Sequence, residues 1–68
     1  MEIIINGEKK ETMESISLSS LLKELDLKNE TVAVELNLSI VDKKKYDETL
    51  LKEGDKLEIV HFVGGGKS

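Results

Sequence analysis

The sequence predicts an α+β fold, in which a mixed sheet of about four to five strands packs on one main helix. A β-branched run opens the chain and meets the turn dipeptide Asn6-Gly7. A leucine stripe at helical spacing follows, and alternating apolar segments fill the second half. The predicted order is strand, strand, helix, strand, short strand, strand. The last strand can lie beside the first in parallel, in the middle of the sheet.

The first two strands form a predicted hairpin. Alternate residues of MEIII face one side of the sheet, as a half-buried strand requires. Asn6-Gly7 suits a type I′ turn, because both of its central positions need positive φ. Residues 9–13 are the predicted return strand, and their high charge is typical of an edge that must not pair with other chains.

The predicted helix carries four leucines on one face. Ser17 is the expected N-cap, since its hydroxyl can accept from the free amides of the first turn. Lys28-Asn29 is the expected end of the helix, because it offers a cation and a residue that tolerates left-handed backbone. The stripe at spacing i, i+3, i+4, i+7 consists of Leu18, Leu21, Leu22 and Leu25.

The second half of the chain reads as strands joined by polar turns. Residues 32–36 alternate as a strand, Asn37 begins a turn, and Ile40-Val41 is a short apolar return. Residues 42–51 are predicted to be a loop with a short strand or turn. Gly54-Asp55 makes the next turn, and the last strand is expected over residues 56–62.

Composition limits the function. Sixty-eight residues allow one domain, here predicted as residues 1–62 followed by a flexible glycine-rich tail over 63–68. The net charge of −4 argues against nucleic-acid binding, which needs clustered positive charge. No segment reaches membrane-spanning length, and no signal peptide is recognisable, so a soluble cytoplasmic protein is expected. The chain has no cysteine and one histidine, His61, so neither a metal site nor a self-contained enzyme is expected.

Two apolar residues of the last strand form a candidate partner-binding patch. If Leu57 and Ile59 face the helix, Val60 and Phe62 lie on the open face of the sheet. The alternative is that the loop over residues 42–51 folds over them. Within that loop, the run 43–45 of three lysines is either a partner or phosphate contact or a solvated loop, and the solvated loop is the preferred interpretation.

Three glycines, Gly64 to Gly66, follow the last strand almost directly. One interpretation is a frayed tail, since glycine is the most flexible residue and termini fray. The other is chemical. A glycine carboxylate on a tether without side chains can thread a narrow channel into another enzyme. There, ATP can convert it to an acyl-adenylate that a sulfur or nitrogen nucleophile attacks.

Taken together, the sequence resembles the ThiS family of thiamin-biosynthesis sulfur carriers, which has the β-grasp, or ubiquitin-like, fold. The resemblance covers nearly the whole chain and rests on INGE near the start, VAVELN in the middle and LKEGDKLEIVHFVGGG at the end. The last segment is the most specific, because the acidic-Gly-Asp turn, the EIVHF strand and the glycines occur together at the expected spacing.

The resemblance implies a protein cosubstrate and not a catalyst. An E1-like partner, ThiF, would use MgATP to adenylate the terminal glycine carboxylate, and a sulfur donor system would convert it to a thiocarboxylate. Thiazole synthase, ThiG, would receive the sulfur. The sulfur-carrying terminus would be Gly65 and Gly66, with Gly64 extending the tether, and Val60 and Phe62 would contact the partner. No bound cofactor is implied.

The resemblance has one departure, and two other functions stay open. Members of the family usually end at the glycines, whereas Lys67-Ser68 follows here. Either a protease removes the two residues, or they are foreign to the natural chain, or this copy is not a carrier. The alternatives are a carrier of the molybdopterin-synthase small-subunit type and a β-grasp interaction module without sulfur chemistry.

Overall fold

A computed structural model describes residues 1–62 of the chain. It contains one five-stranded sheet with the order β2-β1-β5-β3-β4, in which β1 and β5 are parallel and the other pairs are antiparallel. The elements are β1 (Glu2–Ile5), β2 (Glu8–Glu11), α1 (Leu18–Glu24), β3 (Val32–Leu36), β4 (Ser39–Ile40) and β5 (Lys56–His61), with 3₁₀ turns at Asn29–Thr31 and Lys43–Lys45. The predicted α+β class, the element order and the central parallel pair are confirmed. The predicted tail over 63–68 lies outside the described residues.

Two asparagines at hairpin turns form side-chain hydrogen bonds with the backbone of β5, one from each neighbouring hairpin. Asn6 adopts φ 49° at the β1–β2 turn, and its side-chain amide exchanges hydrogen bonds of 2.8 and 3.2 Å with the backbone of Ile59. Asn37 adopts φ 51° at the β3–β4 turn, and its Oδ1 accepts from the Lys56 amide at 3.0 Å. Each asparagine therefore tolerates the left-handed backbone of its turn and also extends the pairing of β5.

Helix α1 begins as predicted but ends earlier. The Ser17 hydroxyl caps it by accepting from the Ser20 amide at 3.1 Å. The predicted end at Lys28-Asn29 is wrong, because Asp26 already adopts φ 62°. The Asp26 amide donates to the Lys23 carbonyl and the Leu27 amide to the Leu22 carbonyl, which is the Schellman pattern that closes a helix.

Strand ends differ from the predictions by one or two residues. β2 spans Glu8–Glu11 and not residues 9–13, because its ladder stops where Glu11 pairs with Glu2, the first residue of β1. β4 is Ser39–Ile40 and not Ile40-Val41, since a two-residue turn places Ser39 opposite Leu36. β5 ends at His61, one residue before the predicted end, because His61 pairs with the first residue of β3.

The core lies between α1 and one face of the sheet. Three leucines of the helix stripe are fully buried there, and Leu25 is partly buried against them. Tyr46, from the loop over residues 42–51, is also 1% exposed and fills the core beside them. That loop otherwise has the predicted character, with one 3₁₀ turn and a single bridge between Leu50 and Ser17. The buried apolar set is Ile3, Ile16, Leu18, Leu21, Leu22, Val32, Val34, Tyr46, Leu51 and Leu57.

Helix α1 has seven residues. Neither it nor any other helix within residues 1–62 is long and apolar enough to cross a membrane.

Candidate functional site

The central strand β5 has one buried and one open face, with the sidedness that its sequence predicts. Leu57 is 1% exposed and Ile59 is half-buried, and both face the core. Val60 is 59% exposed and Phe62, directly after the strand, is 45% exposed. The loop over residues 42–51 leaves both residues exposed and reaches Phe62 only through the Lys43 side chain, so the alternative that the loop covers them is wrong. Their role in binding a partner stays a prediction.

Neighbouring strands extend this apolar surface across the sheet. Val60 pairs with Ala33 of β3, so their side chains share the open face. Ile40 of the edge strand β4 lies opposite Glu35 on the same face and is 79% exposed. We call these residues, together with Phe62, the open-face patch: Ala33, Ile40, Val60 and Phe62. Exposed apolar side chains grouped on one face of a sheet are typical of a protein-binding site.

Acidic side chains border the open-face patch. Glu35 and Glu58 are directly opposite each other in the β3–β5 ladder, so their carboxylates share the open face. Like charges at such positions repel. Between residues 1 and 62 the structure contains one ion pair, which joins the N-terminal amine to Glu11. Neither Glu35 nor Glu58 takes part in it.

Lys43, from the loop over residues 42–51, reaches the edge of the patch. Its Nζ donates to the carbonyl oxygen of Asn29 at 3.0 Å and also to that of Val32. The same atom lies 5.2 Å from the centre of the Phe62 ring and 5.8 Å from that of Tyr46. The lysine run is exposed, as the preferred interpretation of a solvated loop expects, but the Lys43 ammonium is also held by contacts within the domain. Sequence patterns carry no signal for these contacts, because the acceptors lie 11 and 14 positions away.

Tyr46 supports Lys43 from inside the core. Burial raises the pKa of Tyr46 above its usual value, and the nearby charge of Asp42 acts in the same direction. The phenol oxygen lies 3.5 Å from the Val32 carbonyl, which also accepts from Lys43. The neutral phenol is thus the favoured form in the folded protein.

The remaining candidates are not brought into a catalytic arrangement by the described residues. His61 is exposed at the end of β5, opposite Val32. Residues 1–62 hold no group of three or more His, Cys, Asp or Glu side chains that could bind a metal ion. The predicted sulfur-carrying residues Gly64, Gly65 and Gly66 lie outside the described residues, as does Lys67-Ser68.

A five-stranded mixed sheet on one helix, with its last strand central and parallel to its first, is a β-grasp domain. The family model of the ThiS family matches residues 3–66, and the chain belongs to this family. The crystal structure of the thiamine biosynthesis protein ThiS from Geobacter metallireducens is 35% identical and superimposes with a TM-score of 0.83. The match covers 97% of this chain and all of that one. The resemblance found in the sequence is therefore confirmed.

Curated relatives include a separate sulfur carrier and proteins named thiazole synthase. The sulfur carrier protein ThiS of Bacillus subtilis is 46% identical over 50 residues, which cover 74% of this chain and 76% of that protein. A thiazole synthase of Paramagnetospirillum magneticum is 47% identical over 66 residues, which cover 97% of this chain. The chain spans only 20% of the length of that thiazole synthase and 21% of a second one, from Magnetococcus marinus. In those proteins a segment like this chain is part of a much longer polypeptide.

Proposed function

We propose that this chain is a sulfur carrier for the synthesis of the thiamin thiazole ring, and that partner enzymes do the chemistry on its glycine terminus. One observation carries the proposal. The central strand exposes Val60 and Phe62 immediately before Val63 and the glycines, inside a segment that the ThiS family model matches. A partner that binds this patch is therefore close to the glycine carboxylate.

The chemistry needs no side-chain nucleophile or base from the chain, because the reacting group is a glycine carboxylate. Once the Gly66–Lys67 peptide bond has been hydrolysed, a carboxylate oxygen of Gly66 attacks the α-phosphorus of MgATP in an E1-like adenylating enzyme, and pyrophosphate leaves. A sulfur nucleophile then attacks the acyl carbon and expels AMP. If the sulfur arrives as a persulfide, a thiol reduces the sulfur–sulfur bond and leaves the thiocarboxylate. The chain acts throughout as a protein cosubstrate.

Thiazole synthase is the proposed acceptor of the sulfur. Support comes from the two relatives named thiazole synthase, because each contains a region similar to almost this entire chain within one polypeptide. A covalent connection of that kind keeps carrier and acceptor at high effective concentration. No comparable observation favours a molybdopterin-synthase acceptor.

The test is the intact mass of the chain after reaction. Two forms, one ending at Gly66 and one ending at Ser68, are incubated with the adenylating enzyme of the source organism, MgATP, cysteine and a cysteine desulfurase. The form ending at Gly66 should gain the mass difference between sulfur and oxygen, and thiazole synthase should remove it. The form ending at Ser68 should stay unmodified until the two residues are cleaved. An unmodified Gly66 form would reject the carrier function and favour an interaction module.

A further inference from the structure

The three lysines of the run 43–45 are not equivalent. Lys43 directs two of its three N–H donors at backbone carbonyls, those of Asn29 and Val32, which lie just before and at the start of β3. Within residues 1–62, Lys44 and Lys45 take part in hydrogen bonds through their backbone groups, whereas their side chains make none. Of the three lysine side chains, only that of Lys43 therefore has contacts that give it a structural role.

Lys43 also lies against the last part of β5 before the glycines. Its ammonium is 5.2 Å from the centre of the Phe62 ring, within the range of a cation–π contact. The Phe62 amide donates to the Thr31 carbonyl at 2.8 Å, which fixes the main chain at the same point. The main chain of Phe62 is therefore held by Thr31, at the end of the 3₁₀ turn before β3, and its ring is held by Lys43.

We propose that Lys43 is a positioning residue for partner recognition, because it holds the Phe62 ring in the orientation that the partner binds. The inference rests on the proposed function, which makes the E1-like adenylating enzyme that partner. A side chain held before binding loses less conformational freedom when the complex forms. Without Lys43, the half-exposed ring can adopt other rotamers, and the partner must select one of them.

The test compares Lys43→Met with Lys44→Met in the full 68-residue chain. Methionine keeps an apolar stem of similar length but removes the donors and the charge. The Kd for the adenylating enzyme, measured by titration calorimetry, should rise by about 3- to 10-fold for Lys43→Met, as expected when one side chain must be ordered on binding. Lys44→Met removes the same charge from the same loop and should change the Kd by less than about twofold. Lys43→Arg keeps the charge and can stack on the Phe62 ring, although its hydrogen-bond geometry differs, and should raise the Kd less than Lys43→Met does.

A double-mutant cycle separates positioning from general stability. If Lys43 acts through Phe62, Lys43→Met should raise the Kd by less than about twofold in a Phe62→Ala background. A purely structural role would lower the Tm of both backgrounds and leave the Kd of the folded protein unchanged. In chains ending at Gly66, Lys43→Met should also raise the KM for the carrier and leave the kcat of adenylation unchanged. If Lys43→Met is unfolded at the assay temperature, Lys43→Gln replaces it with the same expected loss.

The results distinguish this inference from the proposed function. An unchanged Kd in Lys43→Met, or an equal loss with and without Phe62, overturns the positioning role even if the Gly66 form is thiolated. A rise in Kd that depends on Phe62 supports the positioning role even if no thiocarboxylate forms. In that case only the sulfur chemistry is rejected. Absence of binding to the adenylating enzyme in both the 68-residue chain and the form ending at Gly66 overturns both.

Discussion

The two faces of β5 use neighbouring residues for opposite purposes. Leu57 is 1% exposed and packs in the core, whereas Val60, three positions later, is 59% exposed. Alternation along the strand produces this division, since it places Leu57 and Ile59 on the core side and Glu58 and Val60 on the open side. The difference teaches that an apolar strand in the middle of a small sheet can stabilise the fold with one face and remain available to a partner with the other.

The largest expected effect comes from the buried face. Leu57→Ala removes a core side chain from the central strand and should lower the free energy of unfolding by about 2–5 kcal/mol, through lost burial and the cavity left behind. In a domain of this size, such a loss approaches the whole stability. Urea denaturation followed by circular dichroism measures it. A loss below about 1 kcal/mol would mean that the core collapses around the site.

The open face should behave in the opposite way. Phe62→Ala truncates a half-exposed aromatic and should weaken binding of the adenylating enzyme by about tenfold or more, as for an aromatic anchor. Its effect on the free energy of unfolding should be about 1 kcal/mol. Titration calorimetry and thermal melts measure the two quantities on one sample. A large fall in Tm with unchanged affinity would assign Phe62 to the fold and not to the partner.

Local chemistry explains why much of the fold could be predicted. Asn6-Gly7 and the Ser17 cap act through atoms within a few positions of themselves, and the leucine stripe needs only helical spacing. The end of α1 was missed because Asp26 and Asn29 both tolerate left-handed backbone, and sequence alone does not show which one adopts it.

The unpredicted part of the candidate site depends on long-range contacts. Tyr46 and Lys43 read as members of a polar loop, and only the folded chain brings them to β3 and Phe62. By contrast, the exposure of Val60 follows from strand alternation alone. Sequence therefore predicts which residues a strand presents, but not which distant side chain holds them in place.

The stability of the core can also be tested by changing the pH, because Tyr46 is the one titratable member of the core cluster within residues 1–62. Its folded-state pKa is raised by burial, so the folded protein holds the phenol proton more tightly than the unfolded chain does. The associated stability is complete below the unfolded pKa of about 10 and is lost as the pH rises from there towards the folded value.

Tyr46→Phe should remove this dependence. Wild type should lose free energy of unfolding more steeply than the variant above about pH 10, while the two curves run parallel at neutral pH. Lysine titration affects both proteins alike, so the difference between the curves isolates the phenol. Urea denaturation across this pH range measures it. Curves that stay parallel throughout would place the Tyr46 hydroxyl in contact with water.

The smallest effect is expected from the most exposed member of the open-face patch. Ile40 is 79% exposed on the edge strand and pairs opposite Glu35, four positions after Thr31, whose carbonyl accepts from the Phe62 amide. Ile40→Ala should change the free energy of unfolding by less than about 0.5 kcal/mol and the Kd for the adenylating enzyme by less than about twofold. The same melts and titrations used for Phe62→Ala apply. A loss of affinity equal to that of Phe62→Ala would extend the binding surface across the whole open face. An unchanged Kd would confine it to the end of β5, because exposure alone does not make an apolar residue part of the interface.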